Sequence, residues 1–450
     1  MSRIRIIITI IVVVLTTLLT GCTGKEPNEI AYVVALGIDS TDDDNYKITI
    51  QYANTTQISG GASESGGKAG SEIVDNVTIE APNIYAGVGL ANNIVSKSFS
   101  MSHAKLIVFS KEMAEKGVKD MIETLVRSEE IRPDVFIAVA NTTANDYLTS
   151  VNPEMEVNPA QYYQLIYQKN QLVGIPDGQL REFFTGLYTD NYDSILPVAG
   201  VIEGSGGNSQ NDDKGQSKDS QNEGSEGSSE SLDSFESKSS NEKDENEKEK
   251  DAEKNTSKYE YDIKNYVGGE TAIEKKNKAE AIGAAVFEKD KMVGELGEVE
   301  TEICKMLKGD YTYSYLTYYN NDTPDIPITV KTTQQKKPKY KIDTDKKTVD
   351  IELYIESDLY SLPADYNVEN KIEDFERDVA NYTSSACTEF INNFTKKYNS
   401  DILKLNEKIK YKFLTNNQYN WFKKNVGWSE YKFSVCTNFK VRRTGLIVRE

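Results

Sequence analysis

"EIAYVVALGIDSTDDDNYKITIQYA", residues 29–53, sets the fold class. Its two apolar runs, 29–39 and 46–53, are rich in β-branched and aromatic residues, and the polar "STDDDN" between them is turn chemistry. Two strands joined by a short loop are expected. Outward from this pair the apolar period alternates between two and 3.6 residues. A helix is expected over 83–97 ("NIYAGVGLANNIVSK"), then a strand in "KLIVFS", a helix in "KEMAEKGVKDMIETLVRS" and a strand in "DVFIAVA". Within the second helix Met113, Val118, Met121, Ile122, Leu125 and Val126 recur at helical spacing, a face for packing on strands. Shorter helices are expected at 159–169 and 179–188.

The same character returns beyond residue 258. "AEAIGAAVFEKDKMVGELG" reads as a hairpin turning at Lys289-Asp290-Lys291, and "EVETEICKMLKGD" as a helix ending near Gly309. Strands follow in "DIPITVK", "KPKYKID" and "TVDIELYIES". Over 370–398, Ile372, Phe375, Val379, Tyr382, Ala386, Phe390 and Phe394 stand three or four apart, the spacing of a long amphipathic helix laid on a sheet. Ser400 is placed to cap a further helix starting at Asp401, and "YKFSVCTNFKVRR" reads as a closing strand. The expected fold class is therefore mixed α+β and multidomain, with mixed sheets, packed helices and a long helix in the C-terminal domain.

Between the halves the composition changes. Residues 201–260 hold 17 acidic and 8 basic side chains, a net of −9, so one segment carries about half of the chain's −19. From residue 204 to 250 the only large apolar side chains are Leu232 and Phe235. Such a segment cannot bury enough apolar surface to offset its ordering entropy, so 203–258 is expected to be an acidic, Ser/Gly/Asn-rich disordered linker. "SGGASESGGKAGS" is flexible by composition and superficially like a phosphate loop. Ala62 and Ala69 stand where that loop needs Gly and Ser or Thr, and "GVGLAN" has Asn92 where a dinucleotide loop needs its third Gly.

Ahead of the first strand, Arg3 and Arg5 precede "IIITIIVVVLTTLL", a run of 14 residues, short of the roughly 20 that cross a bilayer. Leu19-Thr20-Gly21-Cys22 then resembles a bacterial lipobox, in which lipid joins the Cys thiol and the chain is cut just before it. On that reading residues 1–21 are a cleaved lipoprotein signal peptide, Cys22 is the lipidation site and 22–28 form an anchored spacer. Burial of acyl chains of the palmitate class is worth about 0.8 kcal/mol per CH₂, so two or more chains make a stable anchor where one is marginal. The layout that follows is 1–21 signal, 22–28 spacer, 29–202 N-terminal α/β region, 203–258 linker and 259–450 C-terminal α/β domain.

Chemistry is limited by what is scarce. His103 is the sole histidine, which excludes multi-His metal centres; beside an apolar run it reads as a hydrogen-bonded structural residue. Cys22, Cys304, Cys387 and Cys436 are too scattered for a disulfide framework, and free thiols are expected. The acidic balance argues against nucleic acid or bare anionic lipid as the main partner, because both would repel the chain at long range. No catalytic, metal or cofactor-binding residue can be assigned, the small-molecule site stays unassigned, and Arg127, Glu130 and Arg132 read as a helix-terminal ion-pair group.

Several ordered stretches together resemble one family. After the lipobox come Leu36-Gly37-Ile38-Asp39, then "SKSFSMSHAKLIVFSKEMAEKGVKDMIETLVRSEEIR", similar to a Ser/Arg…His…Ala-x-x-Gly…Arg-x-x-Glu-x-Arg pattern. In the second half stand "GAAVFEKDKMVGEL", "YNSDILKLNEKIK" and "WSEYKFSVCTNFKVRRTGLI". The whole resembles the Ger(x)C proteins, C-subunit lipoproteins of bacterial spore germinant receptors. It departs at Thr23-Gly24, where an aromatic-acidic pair is frequent, at Lys97, where Arg is common, and in the length of the acidic segment. The resemblance implies a non-enzymatic receptor component on the outer face of the spore inner membrane. Its implied partners are an A subunit with a large soluble domain and a multi-pass B subunit, in a complex that answers small nutrients. The alternative is a lipoprotein that captures a nutrient itself, which would need a deep cleft between the halves.

Overall fold

The computed structural model describes residues 3–7, 9, 29–43, 45–53, 74–153, 156, 158–168, 174–189, 191–202, 265–271, 277–319, 327–361 and 371–444. The lipobox with Cys22, the Gly/Ser-rich stretch after residue 53 and the acidic 203–258 segment lie outside them. Among the described residues no helix is long and apolar enough to cross a membrane.

The opening stretch forms β1 (Ile30–Ser40) and β2 (Tyr46–Ala53), an antiparallel pair, with β3 (Val74–Ala81) beyond β2. The other edge of β1 runs parallel to β5 (Leu106–Ser110), then β6 (Phe136–Ala140) and β7 (Ile195–Val201), while the short β4 (Ser98–Ser100) pairs with the start of β1. All five residues of β5 and of β6 are buried, as strands covered on both faces must be. Ile107, Phe109, Ile137 and Val139 point into one core; Leu106, Val108, Phe136 and Ala138 point into the other. The first core is closed by α1 (Ile84–Ala91), α2 (Lys111–Lys116), α3 (Lys119–Val126) and α6 (Leu180–Thr189). The second is closed by α4 (Ala144–Ser150) and α5 (Pro159–Gln168).

The same sheet then takes strands from beyond the acidic segment. β8 (Ala279–Glu288) is antiparallel to β7, and β9 (Lys291–Leu296) completes the expected hairpin, turning through Lys289 at φ 57°. A helix, α7 (Glu298–Lys308), follows and ends on the left-handed Gly309. The second sheet is built around β13 (Thr348–Ser361): β12 (Lys339–Asp343) and β11 (Pro327–Gln334) share one edge, with β10 (Tyr313–Tyr319) outside β11. β14 (Lys432–Arg443) runs parallel along the other edge. Buried and exposed residues alternate along β14, so only one face is covered, by the long α8 (Ile372–Tyr398).

Several expectations are corrected. The helix expected over 83–97 stops at Ala91, where Asn92 turns and its side chain accepts from the Phe99 N–H at 2.8 Å. The expected 111–128 helix is two, because Gly117 takes φ 123° and Val118 N–H is donated to Asp290 O at 3.0 Å in the β8–β9 turn. On α8 the fully buried line is Phe375, Val379, Thr383, Cys387 and Ile391, so Tyr382 and Ala386 sit on its flank. Ser400 caps nothing: α9 (Leu405–Ile409) begins four residues past Asp401 and is capped by the Asp401 carboxylate. β3, β4, α4, β7, β10 and α10 (Asn416–Asn425) were not expected.

Candidate functional site

Leu36-Gly37-Ile38-Asp39 makes a socket for α4. A Cβ at Gly37 would lie 3.0 Å from Leu148 Cδ1 and 3.1 Å from Ala144 Cβ, so only glycine lets the helix lie this close to β1. Two residues on, the buried Asp39 carboxylate accepts the Ala144 and Asn145 N–H groups at 2.6 and 3.2 Å, pairing donors that a helix start leaves open. Burial raises Asp39 above the ordinary carboxylate range, against the pull of those two bonds. The Asn145 amide donates to Thr49 and Thr78, and Gln51 donates to Leu148 O at 2.9 Å while accepting the Tyr163 hydroxyl.

Ser400-Asp401-Ile402 builds a second, charged socket. Asp401 accepts the Leu405 and Asn406 N–H groups at 2.7 and 2.8 Å, as Asp39 does for α4. Its backbone also exchanges bonds with Asp193, in the turn between α6 and β7: Asp401 N–H donates to the Asp193 carboxylate at 2.9 Å, and Asp193 N–H to Asp401 O at 3.2 Å. Burial pushes Asp401 up to about 7, with Asp193 adding to the rise and Lys408 opposing it. Beside it, burial alone would raise Glu182, but the paired Lys404 ammonium, with Lys308 and Arg181, holds it below the ordinary range. Lys404 also lies over the Tyr192 ring at 4.3 Å. Tyr419 OH reaches Asn191 at 3.1 Å, and Lys423 donates to Thr189 O. Thr189, Asn191, Tyr192 and Asp193 are thus gripped by the chain from 401 to 423.

Among the described residues, two cavities along this seam measure about 10 and 20 Å³, space for a water molecule, not a nutrient. A larger groove, about 320 Å³, opens between β9, α7 and α8, with Leu296, Ile303, Phe390 and Phe394 in its floor and Glu295, Glu389 and Lys397 on its rim. Outside the groove's lining on the same helix, Glu302 is pushed by burial to about 7 and bonded by Tyr311.

The residues singled out from sequence do not converge. Cys22 lies outside the described residues. His103 is exposed, its Nδ1 3.0 Å from Ser102 Oγ and its ring edge-on to Tyr32. Arg127 pairs with Glu123 and Arg132 with Asp134, while Glu130 accepts the Met101 N–H at 2.6 Å. The expected ion-pair group is therefore three separate contacts. Cys304, Cys387 and Cys436 are free thiols, and burial pushes Cys304 up to about 11, which keeps it protonated and unreactive. Among the described residues no group of three or more His, Cys, Asp or Glu could hold a metal ion.

Two family models match this chain, one for each half. The "Spore germination protein N-terminal domain" matches residues 24–201, and "Spore germination B3/ GerAC like, C-terminal" matches 282–445, together about three-quarters of the sequence. The chain belongs to the Ger(x)C family of spore germination proteins. Among curated proteins it is similar to spore germination protein KC of Bacillus subtilis (strain 168), 26% identical over 36% of this chain and 43% of that one. The putative spore germination protein YfkR of the same organism is 29% identical over 32% of this chain and 37% of the relative. The chain thus spans less than half the length of the curated relatives it matches. A solved structure, that of the GerBC protein, aligns with 90% of this chain and 96% of its own at a TM-score of 0.49 and 15% identity. Within the Ger(x)C family frame, the Leu-Gly-Ile-Asp and Ser-Asp-Ile stretches that carry the resemblance are the two helix sockets.

Proposed function

We propose that this chain is the C subunit of a nutrient germinant receptor, a lipoprotein held by acyl chains on Cys22 at the outer face of the spore inner membrane. It supports assembly or signalling rather than catalysis, beside an A and a B subunit. The observation that carries this reading is the match of both family models, one on each side of the acidic segment, directly after a lipobox-like start. Residues 203–258 act as a solvated acidic spacer between 29–202 and 259–450. Cys22→Ala should release the protein from spore membranes and weaken germination to at least one nutrient. Unchanged membrane retention and germination would overturn the reading.

A second reading, direct capture of a small nutrient, has the α7–α8 groove in its favour, since its size reaches the lower end of small-molecule sites. Calorimetry of the purified chain with amino acids and sugars separates the two: micromolar binding would favour capture, and heats of dilution alone would favour the receptor-subunit role.

A further inference from the structure

From Lys410 to Trp421 the chain leaves the core and comes back. Only Phe413 and Tyr419 turn inward along it. Phe413 stacks against Tyr419 and Phe422 at 5.7 and 5.1 Å, and the Thr415 hydroxyl accepts the Gln418 N–H to start α10, so the excursion is fixed at both feet. Its other large side chains face solvent. Leu414 is 93% exposed, Tyr411 81% and Trp421 64%, the first two the most exposed large apolar side chains among the described residues. Around them the charge inverts: between residues 404 and 424 six lysines stand against one carboxylate, Glu407, in a chain of net charge −19. Lys412 is tied to Ile342 O and Lys423 to Thr189 O, which holds both ammonium groups near the base of the tip. Asp343 is the neighbouring acid that Lys412 influences.

We propose that this tip is a membrane-contacting surface that inserts Leu414, Tyr411 and Trp421 into the interface of an anionic bilayer, with Lys410 and Lys424 on its headgroups. Trp and Tyr are the residues that partition into the headgroup region, and lysines near an anionic leaflet add attraction that salt screens. A bilayer suits the shape better than an acidic protein does. The apolar side chains stand largely exposed, so a protein partner would have to supply a pocket for each, and a fluid interface needs none. The contact does not use Cys22 and stands apart from the anchoring proposed above.

The two tryptophans of the chain make the test direct, because Trp428 is buried and Trp421 is not. The full chain is reconstituted into phosphatidylglycerol–phosphatidylcholine vesicles with brominated acyl chains, and its emission compared with that in unbrominated vesicles. Trp421 emission should fall by roughly half, the loss should vanish in Trp421→Phe, and it should weaken in phosphatidylcholine alone, at high salt, and in a Lys410→Glu, Lys424→Glu variant. Leu414→Asp, at a position with almost no packing, should reduce quenching with unchanged circular dichroism. Unquenched Trp421 in anionic vesicles would overturn the proposal. So would Trp421 shielded from acrylamide in detergent but opened by deleting residues 204–250, which would assign the tip to the chain's own acidic segment. Vesicle flotation reports anchoring separately: a chain that floats unquenched retains its anchor and loses this proposal, and a Cys22→Ala chain that is still quenched retains this proposal without the anchor.

Discussion

Asp39 and Asp401 do the same local job in different surroundings. Each is buried, each accepts two successive N–H groups at the start of a short helix, and burial raises the pKa of each. Asp39 receives a helix from 105 residues away, and the hydrogen-bond network around that contact is amides and hydroxyls, Asn145, Thr49, Thr78 and Gln51, with Lys47 and Asp146 acting on the carboxyl only by charge. Asp401 caps its own next helix, but its backbone is tied to Asp193, 208 residues earlier, among Glu182, Lys404 and Lys408. A neutral network fixes one face of a sheet; a charged one joins the first sheet's α6–β7 turn to the end of the long helix. Both carboxyls are raised by burial, and Asp401 is brought to about 7, so the second is the socket that loosens as pH rises through neutrality.

The comparison can be broken most severely at the first socket. Gly37→Val drives a methyl group into Leu148 and Ala144 and should cost roughly 3 kcal/mol of overpacking, seen as a lowered urea midpoint with the slope unchanged. Asp39→Ala leaves two N–H groups of α4 unpaired and should cost about 2 kcal/mol by the same measurement. A loss below about 0.5 kcal/mol, the range of ordinary surface changes, would show that the cap does not hold the helix.

The second socket is sharpened by pH. Asp401 stands at about 7 in the folded chain against an ordinary carboxylate near 4. A raised value means that the folded state holds the proton more tightly, so the contribution is fully present below pH ~4 and is lost as pH rises through ~7. Glu302, also near 7, adds a slope of the same sign. Unfolding measured between these limits should show Asp401→Asn with a shallower decline than the parent chain; an identical slope would mean that Asp401 is not the titrating group. The smallest effect belongs to the acidic segment. Deleting residues 204–250 should leave the melting temperature nearly unchanged, and a large drop would show that the segment packs.

Strands of high β-branched content were legible because burial on both faces demands an unbroken apolar run, as in "KLIVFS" and "DVFIAVA". The long helix was legible from its period, although its buried line lies one residue off, since Thr383 and Cys387 carry it where Tyr382 and Ala386 looked more apolar. What local pattern could not supply was anything held by a distant partner. α4 is seven residues long, its apolar set is only Ala144, Tyr147 and Leu148 behind a Thr143 cap, too short a run to stand out, and it is held in place by Asp39, Gln51 and Gly37. The helical period runs straight through Gly117, and the break comes from its φ of 123° together with Asp290 taking the Val118 N–H. Ser400 and Asp401 are both good caps by type, and the choice between them was made by Asp193. Cys22, by contrast, was read from sequence alone. The Tyr411–Trp421 tip was hidden because composition cannot tell Phe413, Tyr419 and Phe422, which turn inward, from their exposed neighbours.

The receptor-subunit account is tested most directly by purifying the full chain from dormant-spore membranes and identifying what comes with it. The account expects a multi-pass transporter-like chain and a chain with a large soluble domain, both lost from the eluate when Cys22 is replaced by Ala. Recovery of the wild-type chain alone, or with the permease of a solute importer, would contradict it.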